Sequence, residues 1–348
     1  MSKSRTDLRF ELPASHEARP GVLDLLSGTV AAPGRPSPEL VDAWAKEAAN
    51  GSPDAQYQLA LALTQAGSLS ADNRAAVKWL KKAVLKHHAA SQHLLGVLIA
   101  RGQGVRADPE KAVELFRAAA IMGNADAQFD LAKSLSWGFG CEANEREALT
   151  WYRLAGAQGH IQSSLAVGQA YARGIGCEVD LRQAVSWLRK AALGHNAEAA
   201  FELGEIYLRP DYPQASSSQA FRWFTEAASA GSSQAAYRLA IFYWSGRAGA
   251  ANPVQAFKWA KRSAQAGNTA AALFLSKLLE NGEGASRNPI AALALVILAG
   301  RQAADEDERH EAELRERELS ATLSSSQIRA ADMMAKDAAS SASFVSSL

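Results

Sequence analysis

The chain has 348 residues, and its 37 basic and 36 acidic side chains leave a formal net charge of +1. Nucleic-acid binders usually carry a basic excess that neutralises phosphates, so nucleic acid is not expected as a principal partner. The longest apolar run, Ile290 to Ala299, is far shorter than the roughly 20 residues of a membrane-crossing helix, so it reads as a buried core helix and no membrane span is expected.

Residues 1–36 contain Pro13, Pro20, Pro33 and Pro36 and read as a flexible lead, with at most a short turn at Val22 to Leu26. The opening MSKSRTDLRFELPASHEARP lacks the apolar stretch of a secretory signal, from which a cytoplasmic location is expected. Export by a route without a cleaved signal, as for a secreted effector or surface-interaction protein, is the alternative this uneven segment suggests. From Ser37, SPELVDAWAKEAANG has a proline near its start and a closing glycine, which predicts a half-unit cap helix within 37–52.

Seven windows then superimpose at a spacing of 36 residues. One column holds Leu59, Leu95, Leu131, Val167, Leu203, Leu239 and Leu275. A second holds Trp79, Leu115, Trp151, Trp187, Trp223, Trp259 and Leu295, and a third holds Ala76, Ala112, Ala148, Ala184, Ala220, Ala256 and Ala292. A fixed period of this size marks a solenoid, in which each unit buries its apolar face against its neighbours. The units are placed at 53–88, 89–124, 125–160, 161–196, 197–232, 233–268 and 269–300.

Inside each unit apolar residues recur twice at helical spacing around a glycine-containing turn, predicting helix, turn, helix. Small residues at Ala60, Gly96, Ala132, Gly168, Gly204, Ala240 and Ser276 let the two helices approach closely. Gly102, Gly138, Gly174, Gly246 and Gly282 share the phase at which a positive φ can end the first helix. The Gly-x-Gly pairs follow no strand, so they are turn glycines and not phosphate loops. Cys141 and Cys177, the two cysteines, lie one period apart, where packed helices at roughly 8–10 Å hold Cα atoms too far apart for a disulfide.

After the seventh unit, DEDERHEAELRERE (305–318) is densely charged and SSSQIRAADMMAKD resumes an apolar stripe. Residues 301–338 are expected to form capping helices with a polar outer face, a solvated coiled-coil partner helix being the rival for the charged part. The tail, 339–348, is expected to be disordered. The fold class is therefore all-α, a right-handed α/α solenoid of seven helix-turn-helix units with terminal caps.

The segments DAQYQLA (54–60), HLLGVLIARGQGV (93–105) and EKAVELFRAAAIMG (110–123) resemble the Sel1-like repeat, a relative of the tetratricopeptide repeat, and the resemblance runs from residue 37 to about 300. LSATLSSSQIRAADMMA is similar to the helix that closes many bacterial members. The chain departs from the motif at RPDYPQASSS (209–218) and AGSLSA (66–71), where those turns must differ in detail. The resemblance implies an adaptor or scaffold that holds other proteins in regulatory or assembly roles, without catalysis and with no cofactor. Relatives linked with β-lactam binding carry a cysteine pair in each unit, which this chain lacks, so that activity is not implied.

His87, His88 and His93 form the densest histidine group, but no cysteine or carboxylate completes a zinc spacing, so they read as helix-end histidines. No nucleophile, base and orienting group fall into a catalytic pattern. The column Tyr57, His93, Phe129, Leu165, Phe201, Tyr237, Leu273 reads as packing. First helices line the concave side of such a superhelix, and positions that vary there are candidates for a partner. They are Arg101, Asp130, Lys133, Trp137, Gln169, Arg173, Glu202, Glu205, Arg209 and Arg238. Arg101, Trp137, Arg173 and Arg209 stand in one column, and arginine and tryptophan are frequent interface anchors, so an acidic or carboxylate-bearing peptide is the expected ligand.

Overall fold

A computed structural model describes residues 36–65, 70–247, 249–338 and 341–348. The expectations for the leading segment up to residue 35, including the turn at Val22 to Leu26, lie outside the described residues, as does most of the first unit's turn. Among the described residues all regular structure is helical, and the chain divides at Ala191 and Ala192 into two compact units.

In the first unit, α1 (Pro38–Ala49) is the half-unit cap. The pairs α2 (Pro53–Gln65) with α3 (Ser70–Val84), α4 (Ala89–Arg101) with α5 (Pro109–Ile121), and α6 (Ala125–Trp137) with α7 (Glu145–Ala157) follow, then α8 (Ile161–Arg173) and α9 (Leu181–Leu193). The second unit pairs α10 (Ala197–Leu208) with α11 (Ser217–Ser229), α12 (Ser233–Ser245) with α13 (Pro253–Gln265), and α14 (Thr269–Asn281) with α15 (Pro289–Gln302). It closes with α16 (Glu306–Ser320), α17 (Ser325–Asp337) and α18 (Ser341–Ser347).

The boundaries follow from capping chemistry that recurs with the period. His88, Asn124 and His160 in the first unit, and Asn196, Ser232 and Asn268 in the second, each accept a backbone N–H three residues on. Such caps are worth about 1 kcal/mol apiece. First helices stop where Gly102, Gly138, Gly174, Gly246 and Gly282 turn left-handed. The residue that caps each second helix also bonds back to the first: Asn144 N–H reaches Leu135 O at 2.8 Å and Asn252 N–H reaches Tyr243 O at 2.8 Å. The divergent turn 209–218 keeps this lock through Ser216 N–H to Tyr207 O at 2.8 Å, with Tyr212 buried edge-on against Tyr207 at 5.5 Å in place of the missing glycines.

The leucine and alanine columns are buried throughout, whereas the tryptophans of the remaining column are half-buried. Three of these rings carry a cation one turn away: Lys82 over Trp79 at 4.1 Å, Lys190 over Trp187 at 3.9 Å and Arg262 over Trp259 at 5.2 Å. The small-residue column has the close approach expected of it, since a Cβ on Gly204 would lie 2.4 Å from Phe224 and one on Gly168 would lie 2.5 Å from Leu188. The second glycine of the Gly-x-Gly turns seats on the preceding pair. At Gly140, φ is +65° and a Cβ would meet the Pro109 carbonyl oxygen at 2.2 Å, so backbone rests directly on the start of α5.

The closing helices pack onto the last pair. Helix α16 folds back on α14 and α15, burying Ala312 and Leu319, while Arg315 pairs with Glu280 of α14 and with Glu318. Helix α17 starts with a capping box at Ser324 and Gln327 and buries Ala331 and Ala335. The tail departs from its expected disorder: 341–347 is α18, with Phe344 and Val345 in the core of the second unit. Serine-rich sequence hid a two-residue apolar anchor, which is enough to seat a short helix on a surface already formed.

Candidate partner-binding surface

Arg101, Trp137 and Arg173 are the last residues of α4, α6 and α8, each followed by the left-handed glycine that ends its helix. The three therefore repeat at one edge of the first unit. Trp137 is 44% exposed and Arg173 is exposed, while Arg101 is half-buried. Gln169, one turn before Arg173, is half-buried.

Asp130 and Lys133, expected on the partner-facing surface, are instead buried. Asp130 is fully enclosed, and its Oδ2 lies 2.8 Å from His93 Nε2 of the neighbouring first helix. Lys133 is 8% exposed, with Nζ 5.1 Å from the Phe129 ring and 5.4 Å from the Trp137 ring. Burial pulls its amine down to about 8, against the upward pull of Asp130. The amine thus supports the face of Trp137 from beneath and does not present itself to solvent. Around this pair His93 stacks near Phe116 at 5.8 Å, and Phe129 lies 4.6 Å from His160 and 5.7 Å from Tyr152. Burial lowers the His160 pKa and raises that of Tyr152 well above the ordinary phenol range.

The histidines resolve into backbone roles. His88 and His160 are N-caps, and His88 also reaches Asp54 at 3.1 Å. His87 and His195 hold positive φ of 57° and 62° where the other units place Gly123, Gly159, Gly231 and Gly267. Among the described residues no three His, Cys, Asp or Glu side chains gather as a metal ion would require. Cys141 and Cys177 are unpaired and half-buried, and burial raises both thiols above their usual pKa. An open cleft of about 650 Å³ lies between the start of α7 and the turn after α8, lined by Asn144, Arg146, Gly174, Gly176, Cys177 and Glu178.

The remaining candidates belong to the second unit. Arg238 of α12 makes a two-pronged ion pair with Glu205 of α10, Nε to Oε1 at 2.7 Å and an outer guanidinium nitrogen to Oε2 at 2.9 Å. Burial raises the Glu205 pKa, and Arg238 draws it back. Arg209 forks onto Asp211 of its own turn at 2.9 and 2.7 Å, so the departure of that turn from the repeat also engages the arginine. Glu202 is half-buried on α10. The sequence missed the cross-helix pairs because each looked like variation in a free column. The signal was there in the opposite charges at near-period spacing, Glu205 with Arg238 and Asp130 with His93.

A family model described as Sel1 repeat matches residues 53–88, 89–124, 125–160, 162–196, 197–232, 233–268 and 269–303. Among solved structures, a Sel1 repeat protein from Oxalobacter formigenes is 27% identical, with a TM-score of 0.61 over 72% of this chain and 98% of that one. A protective antigen present in uropathogenic Escherichia coli strains, c5321, is 21% identical with a TM-score of 0.40 over 85% of this chain and 78% of that one. No curated protein matches the chain. Among the described residues no helix is long and apolar enough to cross a membrane.

Proposed function

The chain belongs to the Sel1-repeat family, whose members are generally protein-interaction adaptors and typically non-catalytic, and from that premise we propose that it is a non-enzymatic scaffold holding an acidic segment of a partner protein. The observation that carries this is the edge formed by Arg101, Trp137 and Arg173. A large, exposed indole stands at the same register as two guanidinium groups, on helix ends fixed by glycine caps and backed by buried Lys133. Preformed aromatic and arginine anchors lower the ordering cost of binding, which is how a repeat surface gains affinity without a deep pocket. The partner carboxylates would meet the arginines while its apolar side chains meet Trp137. Two unpaired thiols support a reducing, cytoplasmic setting for this role.

The test compares wild type with a chain in which Arg101, Trp137 and Arg173 are all changed to alanine, after circular dichroism establishes unchanged helix content. Both are probed with an array of acidic peptides and by crosslinking to partners in native lysate. Peptide binding and crosslinks lost from the variant alone are expected. Equal retention by both chains would remove this edge from consideration.

A further inference from the structure

Helix α18 lies against α13 and α15 and places Phe344 and Val345 in the core of its unit. Two polar bonds fasten it: Lys261 Nζ donates to the Ser346 carbonyl at 3.3 Å, and Gln265 Nε2 donates to Ser346 Oγ at 3.2 Å. Lys261 and Gln265 are one helical turn apart, so the tail sits along a single face of the last turns of α13. An isolated helix of this length is marginal in water, so α18 exists only by virtue of its seat.

The repeat carries that seat to other second helices. Counting back by the period, Lys261 corresponds to Arg117 and Lys81, and Gln265 corresponds to Ile121 and Leu85. On α3 and α5 the pair is again a cation followed one turn later by a second contact residue. Here the second residue is large and apolar, and it stands in water: Leu85 is 82% and Ile121 72% exposed, with Met122 and Leu154 exposed at the same ends of α5 and α7. Single exposed apolar residues are ordinary. Leu85 and Ile121 recur in register, at the position where the same chain elsewhere seats its own tail.

We propose that the outward ends of α3 and α5, marked by Lys81, Leu85 and Ile121, dock residues 341–348 of a second copy of this chain. Phe344 and Val345 supply the apolar contact. The carbonyls at the end of the incoming helix face Lys81, as the Ser346 carbonyl faces Lys261 within one chain, an arrangement the helix dipole favours. Arg117 is engaged with Glu147 at 2.6 Å, which leaves the role of Lys261 to Lys81. Leu85 and Ile121 stand at the position that Gln265 holds in cis, so at this point a polar contact is exchanged for an apolar one that an incoming tail can cover. This surface is on the second helices and does not depend on the first-helix edge proposed for the partner.

A fluorescent peptide of residues 338–348 is titrated by anisotropy against the full chain, a chain ending at Ala338, and the full chain carrying Leu85→Asp and Ile121→Asp. Sedimentation velocity follows self-association of the unlabelled proteins. The full chain is expected to bind the peptide and to dimerise with rising concentration. The double substitution should weaken peptide binding at least tenfold and abolish dimers, with helix content unchanged because both side chains are exposed. The shortened chain should bind peptide and remain monomeric. Peptide binding that appears only after the tail is removed, or that survives the double substitution, would overturn the proposal.

Discussion

Asp130 and Arg238 stand in the same column of the repeat, as do Lys133 and Glu205, yet the two units bury charge in opposite polarity. In the first unit the carboxylate is fully enclosed with a histidine across the helix interface, and the cation lies on aromatic rings. In the second the cation forks onto the carboxylate of the neighbouring helix, and both side chains keep about a fifth of their surface in water. A column that varies between units is therefore not the same as a column left free for a partner. Part of its variation is compensation between adjacent units, and what the helix ends expose, here Trp137 and Arg173, is a separate matter from which columns vary.

The sharpest way to break the comparison is Asp130→Ala. It leaves the His93 ring without its partner inside a closed interface, and unfolding stability should fall by about 3 kcal/mol. Combining it with His93→Phe should recover part of that loss in a double-mutant cycle followed by urea denaturation.

Lys133 comes next. Its folded pKa of about 8 lies below its ordinary value, so the unfolded chain binds the extra proton between that pH and about 10.5, and stability must rise with pH across this window. Lys133→Met should remove this rise and add on the order of 1–2 kcal/mol at pH 7, offset in part by lost contact with the rings. Thermal melts from pH 7 to pH 10 would show whether the slope survives.

Glu205 has the opposite sign. Its folded pKa is raised, so the native chain holds the proton longer and this carboxylate's contribution falls as pH rises above the ordinary carboxylate value. Arg238→Met should cost about 1–2 kcal/mol at pH 7 and less at acidic pH, because the raised pKa lets Glu205 take up a proton sooner than an ordinary carboxylate. A loss that is the same at both pH values would mean that Arg238 acts by packing alone.

The smallest effect should be the same in both units. His87 and His195 occupy a left-handed position that glycine fills elsewhere, with open space around it at Gly123 and Gly231. Changing either to glycine relieves the strain but enlarges the freedom of the unfolded chain, for a net gain of about 0.5 kcal/mol. Differing responses in melting temperature would show that one of the two histidines makes a further contact worth keeping.

Much of this molecule was legible in the sequence because the period fixes phase. Once Leu59 and Ala76 are placed, every equivalent residue is placed, and caps such as Asn124 and glycines such as Gly138 mark the ends. What escaped depends on pairing across the period. Asp130 looked like an exposed acid because the group that encloses it, His93, lies on the neighbouring helix. Arg209 looked like a member of the arginine edge until Asp211, in a turn that abandons the motif, was found beside it. The tail looked disordered because serine dominates its composition, and composition does not register that Phe344 and Val345 are both buried in the core of the second unit.

The contact of Gly140 with the Pro109 carbonyl, and the matching contact of Gly284 with Pro253, tie these turns to the start of the second helix just before them. Joints of this kind are indifferent to how many links the array contains. An in-frame duplication or loss of one unit's coding sequence would leave every remaining joint intact, so the length of such a chain is open to evolution, and to the protein engineer, in whole steps, while the caps and the charged pairs between units set where a new link can be inserted without being noticed.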